Sequence, residues 1–196
     1  MPLSSNGTIK VLEMSIANGW TDALFGKGAS RSEISLALIA GLAGCAAAVM
    51  NATYGALALA WWQWLLLLLV AFDIVGGIPA NSTHAAVRQH HRPGKPFSPA
   101  IFAAAHVHPF LISFLMPGFE LAGAAVLWMS AFAGVLLVVL SPPTLKRPAA
   151  LLLVGLGILI QQLWFPAEGW EWFAVAFMLK LVGGHAVPAT VDDGAH

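Results

Sequence analysis

Long runs of apolar residues dominate the chain from residue 34 onward, and short segments rich in proline, glycine or polar residues separate them. A helix that crosses a lipid bilayer needs about 20 mainly apolar residues. Six runs meet this requirement, at residues 34–52, 56–78, 98–116, 119–140, 148–165 and 170–187. The pattern predicts an all-α, polytopic membrane protein built as a bundle of six transmembrane helices.

The two ends of the chain follow different patterns. Apolar residues in the first 32 positions recur at helical spacing, opposite charged ones, which predicts a short amphipathic helix on the cytosolic membrane face. The apolar set is Ile9, Leu12, Ile16, Trp20 and Leu24. Residues 188–196 are polar and predict a disordered cytosolic tail. We therefore expect a cytosolic N-terminal segment at 1–32, a transmembrane domain at 33–187 and the tail at 188–196.

Composition supports the membrane assignment. Hydrophobic residues make up 59% of the chain and charged residues 9%, whereas soluble domains carry about 25% charged residues. The formal net charge is zero and no run of Lys or Arg exceeds two residues, so a nucleic-acid partner is not expected. Cys45 is the single cysteine, which excludes a disulfide framework.

The positive charges predict the orientation of the spans. Lysines and arginines occur before the first run and in the second and fourth loops, but not in the loops around Asn51, Pro117 and Glu168. Under the positive-inside rule, six spans place every loop cation in the cytosol, with both chain ends there too, as in a multi-pass protein of the cell membrane. An aromatic belt at the opposite face is predicted from Tyr54, Trp61, Trp62, Trp164, Trp170 and Trp172.

Ionisable residues inside predicted spans are the best candidates for function, because they are costly in lipid and usually face the bundle interior. Asp73, His106 and Lys180 fall at a similar depth, about 10 Å beneath the cytosolic surface. We predict that Asp73 and His106 approach each other and are catalytic. Lys180 could pair with Asp73 or extend toward the headgroups. On a continuous helix His108 would point away from His106, so both should not serve one site.

A polar funnel is predicted on the cytosolic side of Asp73. Several residues that follow Asp73 share one helical face, which continues out of the membrane with a kink at Pro79. A lipophilic substrate with an anionic head group could enter from the inner leaflet and be held by the basic members of this set. The predicted substrate-binding residues are Asn81, His84, Arg88, His91 and Lys180.

These features favour an enzyme that acts on a lipid or isoprenoid-like substrate by acid–base chemistry. A small proton-coupled transporter could use the same Asp–His pair, although the two halves of the sequence show no repeat. A non-catalytic membrane subunit is the third alternative. A metal site at His84, His91 and His106 is a secondary alternative, since the HxxxH and HxxHH boxes of membrane oxygenases and desaturases are absent. The pattern assigns neither a cofactor nor an oligomeric state.

Overall fold

The computed structural model describes residues 28–83, 85–86 and 97–187, and all regular secondary structure in these ranges is helical. The amphipathic helix predicted before residue 28 and the tail at 188–196 lie outside them. The elements are α1 (Arg31–Tyr54), α2 (Trp61–Ser82), α3 (Ser98–Ala105), α4 (His108–Leu115), α5 (Leu121–Leu140), a 3-10 turn (Pro143–Leu145), α6 (Lys146–Trp164) and α7 (Glu171–Met178), which continues as a π-helix (Leu179–His185).

Five helical stretches in the described residues are long and apolar enough to cross a membrane. They are α1, α2, the α3–α4 pair, α5 and the stretch Pro143–Trp164 that contains α6. The all-helical class expected from the sequence is therefore confirmed, and the five apolar helices are compatible with the expected membrane location. The sixth predicted run corresponds to the eight-residue α7 and the seven-residue π-helix, which do not reach spanning length as a regular helix.

Helix α2 starts and ends later than the predicted run at 56–78. Ala56 adopts a positive φ of 49°, and the chain stays outside a helix up to Ala60. The helix then begins with the Gln63 side chain accepting a hydrogen bond from the Ala60 backbone N–H at 2.8 Å. At the other end it continues through Pro79 to Ser82, which gives Asp73 and Asn81 a common helical framework.

Small residues bring α1 and α2 into close contact. Two α1 glycines have no space for a Cβ: it would lie 2.8 Å from the Phe72 ring at Gly41 and 2.5 Å from Val75 at Gly44. In the membrane, where lipid tails are as apolar as Leu, such close backbone approach supplies the packing energy that holds helices together. The buried face of α1 consists of Ala37, Gly41, Gly44, Ala48 and Ala52.

The last helical segment forms the centre of the bundle. Helix α7 and the π-helix together pack against α1, α2, α5 and α6. Their buried apolar side chains include Phe173, Phe177, Met178, Leu181 and Val182. Within this core the π-helix also buries two ionisable residues, Lys180 and His185. Short π-helical stretches occur frequently at functional sites, and here the stretch carries the buried lysine.

The burial of Trp170 contradicts its place in the predicted aromatic belt, whereas the exposure of Tyr54 and Trp61 is compatible with a belt. Tyr54 is 82% exposed and Trp61 80% exposed, as a belt requires. Trp170 is only 1% exposed, and its indole Nε1–H donates to the Pro117 carbonyl at 2.9 Å. Trp170 is therefore a core residue that donates a hydrogen bond to the turn at Pro117. The pattern of apolar and polar residues in the sequence does not indicate this burial.

Candidate functional site

An ion pair joins α2 to the π-helix. The Lys180 ammonium Nζ lies 2.7 Å from Asp73 Oδ2 and also donates to the Asp73 backbone carbonyl at 3.2 Å. The two partners differ in environment: the Lys180 side chain is 4% exposed, whereas the Asp73 side chain is 51% exposed. The ammonium is therefore held inside the bundle while the carboxylate stays accessible at the bundle surface.

Gly77 makes room for this lysine. A Cβ at Gly77 would lie 2.5 Å from Lys180 Cε and 3.0 Å from Nζ. The neighbouring Gly76 faces α1 instead, with the Ala37 backbone oxygen 3.0 Å from the position of a Cβ. The structure shows that one glycine admits a helix backbone and the other admits the lysine side chain.

The predicted continuous helix at 98–116 is interrupted at His106–Val107. Pro109 is the physical reason, since it has no N–H to donate to the carbonyl four residues earlier and its ring clashes there. The chain satisfies the freed carbonyls in other ways. The Val107 N–H donates to the Ala105 carbonyl at 3.0 Å, and the Trp128 indole donates to the Ala104 carbonyl at 3.3 Å.

This interruption overturns the expectation that His108 points away from His106. The two imidazole rings have centroids 5.4 Å apart, and His108 Nε2 lies 3.4 Å from Asp73 Oδ2. One ligand atom from each of Asp73, His106 and His108 falls within 4.8 Å of the other two. The predicted approach of Asp73 and His106 is confirmed, and the sequence reasoning missed His108 because it assumed an unbroken helix.

A second histidine missed by the sequence reasoning lies behind the site. His106 Nδ1 is 2.7 Å from the Phe102 carbonyl oxygen, which fixes the orientation of its ring. The Phe102 ring in turn stacks on His185, with centroids 3.9 Å apart and 26° between the planes. His185 is 1% exposed, so it supports the site from within the core. Its position in the last run, three residues before the tail, gave no signal of this packing.

Asn81 is the one predicted substrate-binding residue on α2 that the described ranges include. It follows Asp73 by eight residues, so it shares the helical face of Gly77 and Asp73. Its side-chain amide Nδ2 is buried without a hydrogen-bond partner. His84, Arg88 and His91 lie outside the described residues. Of the alternative metal set His84, His91 and His106, only His106 is described, and its neighbours in the structure are Asp73 and His108.

The layer formed by Asp73, His106, His108 and Lys180, called the polar layer below, combines several chemical capacities. It holds a carboxylate, an ammonium group and two imidazoles within one small volume. Imidazole and carboxylate groups at hydrogen-bond range can transfer protons to and from a bound molecule. The same oxygen and nitrogen donors are ligands for divalent transition metals.

The comparisons with known proteins add no family to this description. No protein-family model matches the chain, and neither a curated protein nor a solved structure shows significant similarity to it.

Proposed function

We propose that the chain is a membrane-embedded enzyme that acts on a lipophilic, lipid or isoprenoid-like substrate at the polar layer. Asp73 and His106 are the acid–base pair of this proposal. His108 joins them because its Nε2 lies 3.4 Å from Asp73 Oδ2. Lys180 holds the carboxylate in position and adds a positive charge for an anionic substrate group.

The observation that carries the proposal is the unequal exposure of the ion pair. Enclosing the charges of an ion pair costs desolvation energy, which their attraction repays only when the geometry and the remaining hydrogen bonds are good. Here the ammonium is enclosed, and half of the carboxylate side chain stays accessible. A half-exposed carboxylate next to two imidazoles, on helices of membrane-spanning character, is available to a molecule that approaches from the surroundings of the bundle.

We place this site in a six-span protein of the cell membrane with both termini in the cytosol. The support is the segregation of loop lysines and arginines. The sixth span of this proposal is α7 with the π-helix, completed by flanking residues. The surrounding helices enclose this span. Fewer of its residues therefore face lipid than in the neighbouring spans.

The cytosolic mouth of the proposed site would bind the polar end of the substrate. Asn81 has a buried, unpartnered amide, which can donate to a phosphate or carboxylate oxygen. His84, Arg88 and His91 follow it in the sequence. We propose that they take part in the same contact from the segment after α2.

A comparison of cellular lipids and other metabolites tests the proposal. Cells that express the wild type, Asp73→Asn and Glu120→Gln are compared with cells that lack the gene. Both substitutions convert a carboxylate to an amide, but Glu120 lies at the N-terminal cap of α5, away from the polar layer. We expect a product that depends on the wild type, persists in Glu120→Gln and is lost in Asp73→Asn.

The same experiment separates the proposal from its alternatives. If Asp73→Asn changes only how much of an unmodified compound crosses the membrane, the chain is a proton-coupled transporter. If Asp73→Asn inserts normally and leaves every metabolite unchanged, the polar layer only holds the helices together, as in a non-catalytic subunit. Membrane insertion and protein level are measured for each variant, so that lost product is not confused with lost protein.

A further inference from the structure

We infer that Asp73, His106 and His108 form a binding site for one divalent transition metal ion of the zinc or iron(II) class. This inference goes beyond the proposed function, because the ion would use the same lone pairs: Asp73 and His106 act as ligands in the metal-bound protein and as the acid–base pair only in the metal-free protein. It also differs from the metal set His84, His91 and His106 suggested by the sequence. Two imidazoles and one carboxylate are a ligand set that leaves further positions on the ion open.

The distances are close to those a metal requires. Zinc binds nitrogen and oxygen at about 2.0–2.1 Å, so two of its ligand atoms lie about 3.3 Å apart in tetrahedral geometry and at most about 4.2 Å apart. His108 Nε2 and Asp73 Oδ2 are already separated by 3.4 Å. The three ligand atoms lie within 4.8 Å of one another, so a pair at that limit would have to close by about 1.5 Å to reach tetrahedral geometry, a movement that rotation of the imidazole side chains can supply.

The ring of His106 is oriented as metal-binding histidines usually are. Such residues commonly donate one ring N–H to a backbone carbonyl, which fixes the tautomer and leaves the other nitrogen for the metal. The Phe102 carbonyl lies 2.7 Å from His106 Nδ1. In that tautomer Nδ1 donates the hydrogen bond and Nε2 carries the free lone pair. The stacking of Phe102 on His185 holds this carbonyl within the core.

His108 presents its Nε2 to the same carboxylate, 3.4 Å from Asp73 Oδ2. A neutral imidazole carries one N–H and one lone pair. With the proton on Nε2, His108 faces Asp73 as a hydrogen-bond donor. With the lone pair on Nε2, two lone pairs face each other, and a cation between them removes that repulsion. Its Nδ1 is buried without a hydrogen-bond partner in the structure, and an ion on Nε2 does not change that.

Lys180 is the group that competes with the metal. Its ammonium occupies one side of Asp73 Oδ2 at 2.7 Å. A carboxylate offers about four lone-pair sites, so Asp73 can accept from Lys180 and bind an ion at once. Two cations on one carboxylate repel each other, however. The site should therefore bind metal more weakly with Lys180 than without it.

Metal titration of the purified full-length protein tests the inference. The protein is prepared in detergent with an affinity tag that contains no histidine, stripped with a chelator and titrated with Zn²⁺, and separately with Fe²⁺ without oxygen. We expect one equivalent to bind. His106→Ala and His108→Ala should each weaken binding by more than about 100-fold, since even loss of an outer-shell partner costs 10- to 100-fold.

The matched control replaces His84, His90 and His91 together with alanine. These histidines lie outside the described residues and close to the site in sequence. Unchanged binding in this control supports the inference, and binding that is lost in the control but kept in His106→Ala overturns it. Wild-type protein that takes up neither ion also overturns it, and retained product formation by that metal-free protein would leave the proposed acid–base function standing.

Lys180→Met provides a second measurement that does not depend on removing a ligand. Methionine keeps the length of the side chain and removes the charge. We expect the affinity for Zn²⁺ to rise about tenfold, because the competing cation is gone. An unchanged or weaker affinity in a variant of wild-type helical content contradicts the proposed use of Asp73 as a ligand.

Discussion

The two ends of the bundle use polar residues in opposite ways. At one end, called the closed end here, three turns meet at Gly55, Gly118 and Gly169. A Cβ at Gly55 would lie 2.6 Å from the Gly169 backbone nitrogen, and Cβ atoms at Gly118 and Gly169 would lie 3.0 and 2.8 Å from the Leu57 side chain. Gly118 and Gly169 adopt φ values of 81° and 80°, which favour glycine. Toward the other end, the polar layer interrupts an otherwise apolar bundle.

Polar side chains at the closed end mainly replace backbone hydrogen bonds that the turns remove. Gln63 donates to the Leu115 carbonyl at 2.7 Å, and Trp170 donates to the Pro117 carbonyl at 2.9 Å. Gln162 donates to the Glu171 carbonyl at 3.1 Å. All three are neutral donors: Gln63 and Trp170 reach carbonyls at or just after the C-terminal end of α4, where carbonyls lack partners within the helix, and Gln162 reaches the first residue of α7. Their presence is explained by the fold alone.

The polar layer does not have this explanation. Lys180 and His106 each reach a backbone carbonyl, but the layer also brings a carboxylate, an ammonium group and two imidazoles against one another. Burying an ammonium costs free energy that an apolar residue of similar size would not cost. The comparison therefore teaches that hydrogen bonding to backbone explains Gln63, Gln162 and Trp170 at the closed end, whereas it does not by itself explain the charged cluster.

The largest expected effect on stability comes from Asp73→Asn. This substitution leaves the buried Lys180 ammonium without its counter-charge. Removing one partner of a buried pair costs 3–5 kcal/mol, and the half-exposed carboxylate lowers our expectation to about 2–3 kcal/mol. Unfolding in mixed detergent micelles measures the change. The double variant Asp73→Asn, Lys180→Met should recover most of the loss, because no charge then remains.

Substitution of the other partner of the ion pair makes this test more specific. Lys180→Met leaves a carboxylate that is already half exposed, so it should cost less than half as much as Asp73→Asn. Equal losses in both single variants would show that the two charges are equally enclosed. In that case the unequal exposure that supports the proposed function would not hold for the protein in its membrane.

Gly76→Ala and Gly77→Ala form a second pair of variants for comparison. The added methyl at Gly76 meets the Ala37 backbone oxygen, which cannot move without shifting α1. We expect it to destabilise the protein by about 1–3 kcal/mol. The methyl at Gly77 meets the end of the flexible Lys180 side chain, so the cost in stability should be lower but product formation should fall. Unfolding and product assays distinguish the two, and a larger loss of stability in Gly77→Ala would contradict this assignment.

Much of the fold could be predicted from hydrophobicity because five segments have spanning length and an apolar surface toward the surroundings. The sixth segment behaves differently because neighbouring helices enclose it. Apolar runs that face lipid and apolar runs that face protein look alike in a sequence. The π-helix at Leu179–His185 and the burial of Trp170 depend on packing against these neighbours, which periodicity alone cannot indicate.

The candidate site could be predicted in part because charge in an apolar run is conspicuous. Asp73, His106 and Lys180 were identified from depth, and the structure places all three in one layer. His108 was excluded by the geometry of a regular helix, although Pro109 carried the signal for a break. A proline removes the N–H that would continue the helix, so its effect on the direction of the two preceding histidines could have been inferred.

At the closed end, Trp170→Phe should have a modest effect. Phenylalanine keeps an aromatic ring near Phe119 and Phe173 and removes the hydrogen bond to the Pro117 carbonyl. We expect a loss of about 1 kcal/mol in unfolding free energy and unchanged product formation per folded molecule. If product formation in Trp170→Phe falls as far as in Gly77→Ala, the closed end also contributes to the site and the proposed difference between the two ends is wrong.

Pro109→Ala should change stability least and affect the polar layer directly. Alanine restores the N–H at position 109 and favours an unbroken helix across His106–Val107. On such a helix His106 and His108 differ by about 200° in direction, so both can no longer face Asp73. The gain in helical hydrogen bonding offsets the lost packing, and we expect unfolding free energy within about 1 kcal/mol of the wild type. Product formation and Zn²⁺ binding should nevertheless fall together. If product formation and Zn²⁺ binding stay at wild-type levels while helical content rises, the break at His106–Val107 does not contribute to the site and His108 has no part in it.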